Sequence, residues 1–182
     1  MSYHDIAIQN PELNEKREEL GWDSKYSDVE RDFISSNDWG TVKRKINSSN
    51  SITLLESPSP DLSAKAVKLD NLDAILSPES GRKDPGINHV IAKAAEKNDT
   101  SVVLEFKNLL GSRKNRMHTL SSWRTIIQLS EKYGFSLILS TGAEKSNQLR
   151  NPKDLESLLK TLEVYDSNPL SSNPKQIMAR YV

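Results

Sequence analysis

The chain has 182 residues, with 25 Lys/Arg balanced by 25 Asp/Glu, 35% apolar and 27% charged residues. That is enough apolar material for one core, and it is neither the profile of a disordered chain nor one with the run of roughly 18 apolar residues a membrane span needs. With no cysteine, disulfide scaffolds, iron–sulfur ligation and thiol catalysis are excluded, and residues 1–5 carry no signal-peptide pattern. The expectation is one domain over 1–182, cytoplasmic and away from membranes.

In chain order, Tyr3 to Ile8 reads as a strand with Ile6 and Ile8 on one face, and 11–20 as a helix opened by Asn10-Pro11. Residues 21–50 are ambiguous, with Trp22, Phe33 and Trp39 as candidate anchors. Ile52 to Leu55 predicts a strand and Asp61 to Leu69 a helix. Leu72 to Leu76, Ser101 to Phe106 and Phe135 to Leu139 are short apolar runs of strand type. Between and after them lie helical patterns: Ile87, Val90, Ile91 and Ala94; then 120–133, stopped by Gly134; then Leu155, Leu158, Leu159 and Leu162. Asp84-Pro85, Asn151-Pro152 and Asn173-Pro174 each pair a capping side chain with a proline suited to the first helical position. A short helix would close the chain within a strap at about 165–182 and bury Ile177, Met178 and Tyr181. This alternation implies an α/β fold with parallel strands, either an open doubly wound sheet or a barrel. A full eight-unit barrel typically takes about 250 residues, so a barrel here would be short.

The zero net charge hides an asymmetry. Residues 1–80 sum to −6 and residues 81–182 to +6, and the stretch 106–130 holds Lys107, Arg113, Lys114, Arg116 and Arg124 with no carboxylate. A one-signed region attracts polyanions, although a solvated helix face produces the same run. The three histidines, His4, His89 and His118, lack metal-ligand spacing, and His4 reads as a surface residue at a strand end. Neither a nucleophile elbow nor a glycine-rich phosphate loop is present. What stands out is the loop and helix after Leu76. Arg82 and Lys83 precede an expected helix N-terminus, an arrangement suited to phosphate, and His89, Lys93 and Lys97 fall on the outward helix face.

The segment SPESGRKDPGINHVIAK from Ser77 resembles the archaeal-type ribonuclease P protein component 3 family. The resemblance continues in order through VVLEFKNLLGS from Val102, RMHTLSSWRTIIQLSEKYG from Arg116, LILSTGAE from Leu137, LRNPKDLESL from Leu149 and SSNPKQIMAR from Ser171. It covers roughly 70–181 and matches only loosely before that. It implies a TIM-barrel-like fold, short in its N-terminal units, and a subunit of the ribonucleoprotein that removes 5′ leaders from precursor tRNA. In that family hydrolysis belongs to the RNA subunit with its Mg²⁺, so no cofactor or catalytic residue is expected on the protein. The implied partners are ribonuclease P RNA, other protein subunits including a small ferredoxin-like one, and precursor tRNA indirectly. Arg82, Lys83, His89 and Arg150 match the family's basic positions. Lys93 joins them from the outward strip, and Lys107, Arg113, Arg116, Arg124 and Lys145 from charge and loop position. A stand-alone phosphoesterase barrel and a protein-interaction module are the alternatives.

Overall fold

Five short strands lie side by side in the order of the chain, all parallel, in a computed structural model that describes residues 2–8, 10–56 and 59–182. They are β1 (Arg31–Ser35), β2 (Ile52–Glu56), β3 (Ala74–Leu76), β4 (Ser101–Glu105) and β5 (Leu137–Ser140). The helices are α1 (Asn14–Glu19), α2 (Trp39–Ser48), α3 (Pro60–Ala66), α4 (His89–Lys97), α5 (Arg113–Tyr133), α6 (Pro152–Thr161) and α7 (Ser172–Met178). Sequential order with helical crossovers is the winding of a (β/α) barrel rather than of a doubly wound sheet, whose strand order reverses. The ambiguous stretch 21–50 holds β1 and α2, and Trp22 is buried, as expected of an anchor.

β2 to β5 are buried on both faces, as parallel strands must be when helices cover one side and a second layer fills the other, whereas the edge strand β1 buries only Ile34. Leu55, Ile75, Val102, Leu104, Leu137 and Leu139 pack against the helices together with Trp123 and Ile126 of α5. Ile52, Leu54, Ala74, Leu76, Val103 and Ile138 alternate with them and line the inner face, where Ile6, Ala7, Ile177 and Met178 complete the packing.

The expected first strand is not a strand. Residues 3–8 join no ladder: the carbonyl of Ile6 accepts from Arg31 Nε (2.8 Å) and Ala7 N–H donates to Ser140 Oγ (3.0 Å). Those two partners stand on the opposite edge strands, so the segment closes the sheet through side chains. Ile6 enters the inner core while Ile8 packs with Leu13, Ala143 and Leu149, so the two do not share a face. Nor is His4 on the surface. It is 2% exposed, edge-on to Tyr26, and burial lowers its pKa.

Two helix starts also differ from expectation. α4 begins at His89, and Asn88 caps it by accepting from the N–H groups of Val90 and Ile91 (both 3.0 Å). Asp84 instead accepts from Gly86 N–H (2.8 Å) in the loop. The Asp84-Pro85 pair marks a turn, because Gly86 follows with φ +72°, a conformation no helix continues. The buried residues of α4 are therefore Ile91, Ala92 and Ala95, and Val90 is exposed. We expect Asn88→Ala to cost about 1 kcal/mol in urea unfolding, with an unchanged m-value, since two terminal N–H groups lose their acceptor. α7 likewise starts at Ser172, because Asn173 donates its side-chain amide to Leu137 O (2.7 Å). Asn151-Pro152 does open α6 as expected.

The C-terminal segment seals the end of the sheet where the strands begin. Tyr181 donates to Asp73 Oδ2 (2.7 Å), and Arg180 lies between Asp73, just before β3, and Asp99, two residues before β4. The opposite end, where the strands finish, is left to the loops.

Candidate nucleic-acid interface

The loops after β3, β4 and β5 emerge side by side at the C-terminal ends of their strands, the edge on which such folds build their sites. They are tied to one another. Asn108 donates to Ser77 Oγ (2.9 Å), His118 Nε2 donates to the Arg82 carbonyl (2.6 Å), and Lys107 N–H donates to Thr141 O (3.0 Å). Arg150 stacks over Phe106, 5.0 Å from the ring centre, and Trp22 Nε1 holds the Arg150 carbonyl (2.8 Å). A rim stitched in this way holds its backbone and its tied side chains with little conformational freedom left to lose on binding.

Seven of the ten basic residues expected at an interface stand in these loops or in the first turn of α5: Arg82, Lys83, Lys107, Arg113, Arg116, Lys145 and Arg150. His89 opens α4 beside them. The remaining two lie elsewhere. Lys93 is one turn further along α4, 5.9 Å from the ring centre of Tyr133 at the far end of α5. Arg124 is eleven residues beyond Arg113 on α5, about 16 Å along the axis at 1.5 Å per residue.

The seven are not equivalent. Arg82 forks onto Asp84 (Nη2 to Oδ2 2.8 Å), and Asp84 is held below its usual pKa first by that hydrogen bond. Arg116 donates to Leu109 O (2.9 Å), and Arg150 to Leu149 O (2.6 Å) and Asn147 O (2.9 Å). These are oriented guanidinium groups. Lys107 lies between Glu105 (3.2 Å) and Glu144 (3.0 Å), which spend its charge locally. Burial alone would lower its pKa, but the two carboxylates outweigh that and raise it. Lys83, Arg113 and Lys145 are exposed and make no ion pair among the described residues.

Two buried carboxylates lie beneath the cations, and sequence reasoning missed both. Glu105 ends β4, accepts from Ser77 Oγ (2.7 Å) and is pushed by burial to a pKa of about 7. Glu79 accepts from Trp123 Nε1 (2.8 Å) and Asn108 Nδ2 (3.2 Å), and burial raises its pKa too. The available signal was an acidic residue at or within three residues of the C-terminal end of an apolar strand, which is where functional groups of such folds concentrate. Among the described residues no three His, Asp or Glu side chains stand close enough to share a metal ion.

The sequence of residues 25–180 matches the model of the family described as RNase P subunit p30. The chain belongs to the RNase P subunit p30 family. It is 35% identical over 138 residues to the ribonuclease P protein component 3 of Methanocaldococcus jannaschii, covering 75% of this chain and 60% of that protein. Against the component 3 of Methanothermobacter thermautotrophicus it is 35% identical over 111 residues, covering 59% of this chain and 45% of that protein. The chain thus spans about half to three-fifths of the length of these relatives. In three dimensions it resembles a chain of a cryo-EM structure of archaeal ribonuclease P with mature tRNA, with a TM-score of 0.72 and 26% identity over 98% of this chain and 80% of that one. The p30 family match takes in β1 to β5 and every loop of the basic rim.

Proposed function

We propose that this chain is a protein subunit of ribonuclease P that binds and stabilises the catalytic RNA, with the basic rim as its RNA-facing surface. The observation that carries this reading is the union of p30 family membership with three adjoining loops that concentrate cations at one end of the sheet. The physical role is neutralisation of phosphate repulsion in folded RNA, recognised by backbone and shape more than by sequence. Arg116 and Arg150 present oriented guanidinium groups for phosphate oxygens, Arg82 does so where a phosphate displaces Asp84, and Lys83, Arg113 and Lys145 supply mobile charge. The hydrolytic step, with its Mg²⁺, belongs to the RNA, and precursor tRNA is met through it. Other protein subunits, a small ferredoxin-like one among them, complete the particle in the cytoplasm. Val90, Leu110 and Met117, apolar yet exposed beside the rim, favour a protein contact there as well.

The test is a salt titration of protein binding to ribonuclease P RNA. Each phosphate contact adds roughly 0.7 to 0.9 to the slope of log K against log salt. The triple variant Lys83→Ala, Arg113→Ala, Lys145→Ala is expected to flatten the slope by about 2 and weaken binding on the order of 30-fold at low salt. Arg124→Ala, away from the rim, is expected to leave both unchanged. Equal losses from Arg124→Ala and from single rim variants would remove the rim from the interface.

A further inference from the structure

Beside the basic rim, a cavity of about 300 Å³ opens between the loop after β3 and the start of α5. Its mouth is formed by exposed Ser80, Gly81 and Asn115, and its floor by Thr119 and Glu79, which are 8% and 3% exposed. Half-buried Arg82, Asn108 and His118 supply the walls. Glu79 is fixed in place. Its Oε1 accepts both the Trp123 indole N–H and the Asn108 amide, whereas Oε2 is buried with no hydrogen-bond partner among the described residues. An orphaned carboxylate oxygen carries a large desolvation penalty, and a ligand bringing an N–H donor removes it.

We propose that this cavity receives a single unstacked RNA base, guanine by preference, with Glu79 as the acceptor at its floor. The inference deepens the RNA-binding reading and rests on it. Two features select a base over the other donor of suitable size, a guanidinium from a partner protein. Lys83, Arg113 and Lys114, within two residues of the cavity-lining Arg82 and Asn115, repel a cationic side chain and attract the phosphates on either side of a base, whereas Arg82 itself is paired to Asp84. The His118 ring in its wall offers a flat surface of the kind on which splayed RNA bases stack. Guanine is preferred because its N1–H and N2–H form one continuous donor edge toward the carboxylate, whereas adenine and cytosine set a ring-nitrogen acceptor beside their single amino group and uracil brings a single imino N–H. Oε2 is covered in the free protein, so binding requires the side chains that line the cavity to move.

The experiment uses the intact protein with ¹⁵N-labelled tryptophan and the pentaribonucleotides UUGUU, UUAUU, UUUUU and UUIUU. Inosine keeps N1–H but lacks the N2 amine. The Trp123 indole N–H, bonded to Glu79, is the reporter. UUGUU is expected to shift that resonance and to bind about tenfold more tightly than UUAUU or UUUUU, with UUIUU between them. Glu79→Gln is expected to bring UUGUU down to the affinity of UUAUU, and the inosine comparison carries the test if that variant does not fold. Equal, salt-dependent binding of all four pentamers would overturn the pocket while leaving the RNA interface standing. No binding of any pentamer, together with failure to bind full-length ribonuclease P RNA, would overturn both. A Trp123 shift produced by N-acetylarginine amide and not by UUGUU would assign the cavity to a partner protein's cation and sink the proposal.

Discussion

Gly86→Ala is expected to lower the stability of this protein by about 4 kcal/mol, or roughly 10 °C in melting temperature for a chain of this size. Gly86 has φ +72°, and a Cβ there would sit 1.9 Å from the carbonyl oxygen and 2.5 Å from the carbonyl carbon of Pro78. The left-handed conformation itself costs an L-residue only about 1–2 kcal/mol. The rest comes from the clash, because the opposing atoms are backbone and cannot rotate away. Pro78 follows Ser77, whose N–H donates to Val103 O (2.8 Å), so the loop is anchored to the sheet at that point. Gly81 is the internal control. It has φ +68° but nothing within 4 Å of an added Cβ, so Gly81→Ala should cost only about 1 kcal/mol. Thermal unfolding of the two variants under one set of conditions decides the matter, and equal losses would refute the close approach at Gly86. The Gly86 variant should also weaken RNA binding, because the displaced loop carries Arg82 and Lys83.

Much of this was legible before any coordinates. The short apolar runs Ser101 to Phe106 and Phe135 to Leu139 hold β4 and β5, although Phe106 already opens a 3-10 turn and β5 starts only at Leu137, and Gly134 does end α5 in the left-handed conformation. The concentration of positive charge after residue 80 follows from topology. The loops after β3, β4 and β5 all come from the second half of the chain, so an asymmetry in sequence becomes one in space. Four things were hidden for identifiable reasons. Ile6 and Ile8 mimic a strand face, but residues 3–8 are held by Arg31, Ser140 and other distant groups that no local pattern announces. Asp84-Pro85 carries the chemistry of a helix start, and only the positive φ of Gly86 shows that it closes a turn instead. The partners of the cations, Asp84 for Arg82 and Glu105 with Glu144 for Lys107, separate the oriented charges from the spent one. Arg124 shares the charge run of α5 but is carried away from the rim by three helical turns.

Glu105 sets the second large effect, a fall in stability as the solution is made more alkaline. Its carboxyl is 3% exposed, and its pKa is pushed from the ordinary 4.5 to about 7, first by burial and also by the like charge of Glu56. Lys107 and Ser77 pull it back only in part. Burial wins at Glu105 and the ion pair wins at half-buried Lys107, so the native protein prefers a neutral carboxyl beneath a charged ammonium. Below about pH 4.5 folded and unfolded chains both hold the proton, and the contribution is fully present. Between pH 4.5 and 7 the unfolded chain gives the proton up while the folded one keeps it, so stability falls. Above pH 7 both are ionised and the loss is complete, about 3 kcal/mol at 1.36 kcal/mol per pKa unit. Asp38, Asp84 and Glu156 have lowered pKa values and act in the opposite sense below about pH 4.5. His4, lowered by burial, also opposes but below about pH 6.5, and Glu79, raised by burial, acts as Glu105 does, so the difference between Glu105→Gln and wild type is what isolates Glu105. Glu105→Gln keeps the shape and removes the ionisation. Relative to wild type it should gain about 3 kcal/mol between pH 4.5 and pH 8 in urea unfolding, starting from a slight deficit at the acid end where the neutral acid is already accommodated. Superimposable pH profiles of the two proteins would show that Glu105 is ionised throughout. The same ionisation decides what Lys107 can do. Once Glu105 is charged, the ammonium is held between two carboxylates, and protonation below pH 7 leaves only Glu144 to compete with RNA for it.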